Sequence, residues 1–261
     1  MSQKKTSMHE TAHAEVKAKI LSVMREEGYE INEEIEDRID HFLSCVSTRP
    51  QPEKIREILE WLGEQRRACQ MQVDTIPMQD VKHWMVDPAT GAISHESGEF
   101  FQVIGVHVTN GATREKAEWW QPIIYQKEMG ILGIICKRIN GVRHYLLQAK
   151  AEPGNIHKLQ ISPTLQATVS NLKRAHGGGR PLFAEYFETP RPGSVIYATY
   201  QTEDGGRLYL KTNLNMLVEV GEDEPAEIPD NFRWFTMHEI KQLLKYENTV
   251  NLHVRSIISP L

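Results

Sequence analysis

Apolar positions in residues 9–70 recur with a helical period. Val16, Ile20, Val23 and Met24 form an i, i+4, i+7, i+8 stripe, and the helix they predict stops near Gly28. Asn32 is the expected cap of a second helix carrying Ile35, Ile39, Phe42 and Val46 on one face. Arg49-Pro50-Gln51-Pro52 breaks the chain and sets Pro52 near the first turn of a third helix, whose face carries Ile55, Ile58, Leu59 and Leu62. Three short amphipathic helices make a weak core alone. They are expected to cover the rest of the chain or a second subunit, without chemistry of their own.

From residue 73 the pattern turns to strands. Residues 100–108, 130–139 and 142–148 are strand candidates, with Asn140-Gly141 as the two-residue turn of a hairpin. Residues 194–201 and 207–211 flank Asp204-Gly205-Gly206 as a second hairpin candidate. Thr236-Met237-His238-Glu239 has the form of a capping box ahead of a helix with Ile240, Leu243 and Leu244. Trp119 and Trp120 read as core, with a place in a pocket lining as the alternative. Strands with a few interspersed helices indicate an α+β domain over 73–261, preceded by a helical extension over 1–72.

One block departs from ordinary amphipathic patterning. After Tyr145, Leu146 and Leu147, small hydrogen-bonding side chains recur at nearly every second position: Gln160, Ser162, Thr164, Gln166, Thr168, Ser170, then Asn171. Such alternation predicts a strand with one wholly polar face. Solvated faces are usually rich in Lys and Glu; amides and hydroxyls suit a polar, multiply oxygenated ligand.

Composition narrows the class. The 261 residues are 40% hydrophobic and 25% charged, as in an ordinary globular protein, and the net charge of −5 argues against a nucleic-acid binder working through a global positive field. Three cysteines (Cys45, Cys69, Cys136) without metal-like spacing fit a reduced, cytoplasmic setting. No apolar run reaches the length needed to span a bilayer, and the N-terminal segment lacks the apolar core of a signal peptide. Neither Gly-x-Gly-x-x-Gly nor a Walker sequence occurs; Gly177-Gly178-Gly179 after His176 is a loop signal.

Several ordered blocks carry a resemblance. They are Trp84 with Asp87-Pro88-Ala89-Thr90-Gly91, His95 to Phe101, Trp120 to Ile124, Glu128 to Gly133, Gln148 to Asn171, Tyr200 to Glu203, Asn213 to Glu219, Arg233-Trp234 and Asn248 to Asn251. Together the chain resembles the NDP-hexose 2,3-dehydratases from Val73 to the C-terminus, about 190 of its 261 residues. The resemblance implies a Nudix-like mixed sheet flanked by helices, and a nucleotide-linked 4-keto-6-deoxy sugar as substrate. No Nudix hydrolase signature is present to hold a divalent metal, so neither a metal nor pyrophosphate hydrolysis is expected. The reaction it implies uses the substrate's ketone as electron sink, with no cofactor. The rival readings are a non-catalytic nucleotide-sugar-binding partner of a deoxysugar enzyme and a keto-sugar isomerase.

Within the matched region Glu128, His144, Lys150 and Glu152 can exchange protons. Residues i and i+2 of a strand share a face, so Lys150 and Glu152 can set each other's protonation or form a structural ion pair. His144 is either a proton carrier or an ordinary core or surface histidine. Trp84 is placed to stack on a thymine or uracil ring, with core packing as the alternative. Gln148, Thr164, Gln166, Thr168, Ser170, Asn171, Gln201, Thr202 and Glu203 are assigned to the nucleotide sugar through the matched motifs; His95 is grouped with them, with the base or a turn residue as its other readings. Two departures stand out. The family typically carries two copies of the module in one chain, whereas one is found here, so a homodimer using the N-terminal helices is expected to reproduce the pair. Family members usually have arginine where Thr212 and Leu214 stand, so either Lys211, Arg174 or Arg180 holds the diphosphate or the substrate has changed.

Overall fold

Asn140 and Gly141 both take positive φ, 53° and 73°, the geometry that reverses a strand in two residues. They fold β5 (Gly130–Ile139) back on β6 (Val142–Ala151) as the centre of the molecule. The computed structural model describes residues 3–46, 52–109, 118–172 and 179–261. Among them are the helices α1 (Gln3–Glu26), α2 (Glu33–Cys45) and α3 (Pro52–Ala68). A four-stranded antiparallel sheet follows: β1 (Trp84–Val86), β2 (Ile93–His95), β3 (Gln102–Thr109) and β4 (Glu118–Tyr125). The larger sheet has the order β11 (Phe232–Thr236), β6, β5, β10 (Thr212–Glu219), β9 (Val195–Thr202). Two further strands join it off this path: β7 (Leu159–Ser162) pairs β6, and β8 (Leu165–Thr168) pairs β5. β10 runs parallel to β5 and the other pairs are antiparallel, so the fold is α+β with a mixed sheet.

Both faces of the large sheet are covered. One core gathers Ile134, Cys136, Tyr145, Leu147 and Leu217 under α3, α6 (Met237–Leu243) and α7 (Leu252–Ile258). The other packs Ile135, Leu146, Met216 and Val218 against Phe183, Ala184 and Phe187 around α5 (Glu185–Glu188). The third helix buries Ile55, Ile58 and Leu62 in the first core, the face its period predicts. Thr236 and Glu239 form the expected capping box.

The first two helices use only part of their stripes: Ile20, Met24, Ile35 and Ile39 reach the core they share. Asn32 caps α2 as predicted, accepting from the Ile35 N–H. The small core joining α1 and α2 is built on Leu21, Ile39 and Leu43, while Val23 and Phe42 are exposed. The pair is fastened to the sheet by charge. Arg143, 2% exposed, donates to Asp37 at 2.5 Å and Glu219 at 3.1 Å; Arg138 reaches Asp40 at 3.0 Å and Glu219 at 3.3 Å.

Three other expectations change. The partner of the 194–201 strand is β10, because 207–211 bends away and Leu208 instead bridges Ile124 of β4. The polar block of 160–171 is β7, β8 and the short helix α4 (Val169–Leu172), broken at Pro163, which has no N–H for a ladder. Trp120 is 68% exposed and stacks on His107 with ring centroids 4.8 Å apart. The turn at 49–51 lies outside the described residues. Among those described, no helix is long and apolar enough to cross a membrane.

Candidate active site

The pairing of β5 with β6 ends at Ile135 and Leu146. There the buried Thr164 hydroxyl accepts from the Ile135 N–H at 2.9 Å and donates to the Leu146 carbonyl, standing in for the next rungs of the ladder. Beyond it the strands part. β8 continues alongside β5, β7 alongside β6, and an open cleft of about 290 Å³ lies at this end of the sheet.

One wall carries Lys150, whose Nζ is 3.7 Å from Glu152 Oε1, so the i, i+2 pair shares a face as its spacing requires. Glu152 is fully engaged: Oε1 also accepts from Gln166 Nε2 at 2.8 Å, and Oε2 from Asn251 Nδ2 at 3.1 Å. Burial pulls the Lys150 ammonium below the ordinary lysine range, with the Glu152 carboxylate opposing.

The other wall is built on the odd-numbered face of β10. Asn213 accepts from the Gly130 N–H at 2.8 Å and donates to Glu203 Oε1 at 2.6 Å. His253 Nε2 stands 3.6 Å from the same oxygen. The His253 imidazole 3.6 Å away and the Asn213 hydrogen bond hold the Glu203 carboxyl below its usual range, against burial. Lys211 is buried, gives its ammonium to the Glu128 carbonyl, and is likewise lowered by burial while Glu203 and Glu128 oppose.

The structure thus brings Lys150, Gln166, Thr168, Asn171 and Glu203 to one cleft, with Glu152 bonded to its wall. Ser170 lies in the adjoining α4, its side chain outside the described residues. Gln148 and Thr164 are spent on backbone at the base of the parting, the Gln148 amide donating to the Pro163 and Thr164 carbonyls. Gln201 and Thr202 are exposed on the edge strand β9. His144 is not brought here. It sits six residues before Lys150, roughly 20 Å along β6, with its Nδ1 2.8 Å from the Val142 carbonyl and its pKa lowered by burial. Trp84 and His95 pair across β1 and β2 with ring centroids 5.7 Å apart, and Phe101 lies 4.8 Å from Trp84. They belong to the small sheet, at the end from which the chain runs through Gln126 into the cleft.

Asn213, Lys211 and His253 complete the site. Lys211 was expected only as a phosphate partner, and Asn213 stood in a matched block without a role. His253 follows the α7 cap Asn251 by two residues, and that cap was the single local signal. Thr212 and Leu214 point to the face of β10 away from Lys211 and Asn213, where Leu214 packs on the second core. Arg180 is held by Glu188 at 2.5 Å, and Arg174 is outside the described residues.

Comparison with known proteins agrees on one family. A family model described as NDP-hexose 2,3-dehydratase matches residues 55–261. A protein of Amycolatopsis orientalis named dTDP-4-dehydro-6-deoxy-alpha-D-glucopyranose 2,3-dehydratase is 40% identical over 226 residues, covering 84% of this chain and 47% of its own length. Proteins of the same name from Saccharopolyspora spinosa and Streptomyces violaceoruber are 42% and 38% identical, over 76% and 77% of this chain and 40% and 45% of their own. The chain therefore spans less than half the length of these relatives.

Proposed function

Because the chain belongs to the NDP-hexose 2,3-dehydratase family, we propose that it removes water across C2 and C3 of a nucleotide-linked 4-keto-6-deoxyhexose, with dTDP-4-keto-6-deoxyglucose the first substrate to test. The observation that carries this reading is the cleft, where an ammonium, a carboxylate and several amides line facing walls at the scale of a sugar ring. A C4 ketone acidifies the C3 proton, because the carbanion delocalises as an enolate. The C2 hydroxyl is β to that ketone and leaves from the enolate. The enol that remains becomes a 3,4-diketo-2,6-dideoxy sugar. The ketone supplies the electron sink, so the balance calls for neither nicotinamide nor pyridoxal phosphate.

In this reading Lys150, steadied by Glu152, serves proton exchange, Gln166, Thr168 and Asn171 hold sugar hydroxyls, and Lys211 faces the diphosphate in place of the family's arginines. Trp84 stacks on the nucleobase. Three strand spacings separate β1 from β4 and the chain entering the cleft, about 14 Å, a span suited to a nucleotide sugar. The catalytic unit is Nudix-like and comprises 73–261, with 1–72 as its brace. It works in the cytoplasm as a homodimer, the pair supplying two copies of the module; a monomer by light scattering removes that last part.

Incubation with dTDP-4-keto-6-deoxyglucose in deuterated water, read by mass spectrometry and NMR, tests the reading. Loss of water with deoxygenation at C2 is the expected result. Deuterium exchange without water loss makes the chain a keto-sugar isomerase, and binding without exchange makes it a nucleotide-sugar-binding partner.

A further inference from the structure

We propose that Glu203 is the base that takes the C3 proton, and that Lys150 on the facing wall is the acid that protonates the departing C2 hydroxyl. The inference rests on the dehydratase reading above. Elimination needs a deprotonated group at C3 and a protonated one at C2 at the same pH. Among the described residues, Glu203 is the carboxylate that lines the cleft; Glu128 and Glu152 do not. Glu152 is also saturated, both of its oxygens receiving amide protons from Gln166 and Asn251. Glu203 is held differently. Asn213 and His253 both approach Oε1, which fixes the carboxylate by one oxygen, and Oε2 has no hydrogen bond among the described residues. Asn213 is itself anchored by the Gly130 N–H, so the base is oriented through the start of β5. His253 is a positioning residue here, since its Nε2 faces Glu203 and its Nδ1 is buried.

The step balances without an added reactant. The C3–H bond breaks, its proton goes to Glu203 Oε2, and the electron pair moves through C3–C4 onto O4. The enolate then re-forms the C4 carbonyl, makes the C2–C3 double bond and expels the C2 oxygen, which takes a proton from Lys150 and leaves as water. Returning the proton of Glu203 to C2, and that of the C3 hydroxyl to Lys150, gives the diketo sugar and resets both groups. Burial keeps Lys150 a stronger acid than a free lysine, and Glu203 stays ionised.

The test uses the 261-residue chain with dTDP-4-keto-6-deoxyglucose in deuterated water. Lys150→Met should lose water release by about 10²–10⁴-fold yet still wash deuterium into C3 of the recovered substrate. Glu203→Gln should lose both exchange and water release by a similar factor while still binding dTDP in a calorimetric titration. Continued C3 exchange in Glu203→Gln, or loss of exchange in Lys150→Met, overturns the assignment. His253→Gln tests it independently: without the imidazole the Glu203 pKa rises, so the acid limb of the exchange rate should move to higher pH. An unmoved limb also overturns it. If the unaltered chain neither exchanges nor dehydrates, the dehydratase reading itself falls, and the inference with it.

Discussion

Lys150 and Glu203 experience opposite pressures on their charge. Glu203 is lowered from 4.5 and Lys150 from 10.5. A base active when ionised and an acid active when protonated define a plateau between the two values. The dehydration rate should therefore hold down to below pH 4.5, and its alkaline limb should begin below pH 10.5; a pH–rate profile on stable enzyme checks both edges. Thr164 supports a different expectation. Its hydroxyl satisfies a buried N–H and a buried carbonyl together, so Thr164→Val should cost roughly 1–3 kcal/mol in denaturant unfolding. The shared face of Lys150 and Glu152 was legible from their spacing, because strand geometry alone fixes it. The company of Glu203 was not. His253 lies fifty residues along the chain, and its approach depends on where α7 docks, which no local period encodes.

At the level of elements, Gly133 shows how tightly the second core closes. A Cβ built there would lie 2.2 Å from the Phe187 ring, and Phe187 is buried. Gly133→Ala should destabilise by about 1–3 kcal/mol or more through overpacking, measured as a lowered melting temperature. Gly133→Ala with Phe187→Leu should recover part of that loss. The helices and the central hairpin were readable because caps, Asn-Gly and apolar periods are local signals. The polar block was readable only in part: its alternation survives in β7 and β8 separately, whereas Pro163 marks the break. Phe42 and Trp120 were misplaced because an apolar side chain on a periodic face need not find a neighbour to cover it.

Across the whole molecule, the cleft and the charged anchor of the N-terminal helices occupy opposite ends of β5. Asp37 is the titrating member of that anchor. Burial raises its pKa, but hydrogen bonding and attraction from Arg143 outweigh this and the folded value is lowered from 3.8. A depressed folded pKa gives stability that is present above the unfolded value and is lost as pH falls through the folded one. Below about pH 4, limited proteolysis within α1 and α2 should accelerate before the sheet unfolds. Arg143→Met should produce the same release at neutral pH; the cost should fall short of the 3–5 kcal/mol of a fully buried pair, since Asp37 and Glu219 are partly exposed.

The parting of β5 and β6 at Thr164 carries one more consequence. Lys150 rides on the arm made by β6 and β7, while Gln166 and Glu203 belong to the arm made by β5, β8, β10 and β9. Each arm keeps its own ladder intact, so a small change in the angle between them breaks no backbone hydrogen bond. The Thr164 hydroxyl joins the arms at their base and the 2.8 Å Gln166–Glu152 hydrogen bond ties them across the opening, so the gap between proton donor and acceptor is held by side-chain bonds and not by a ladder.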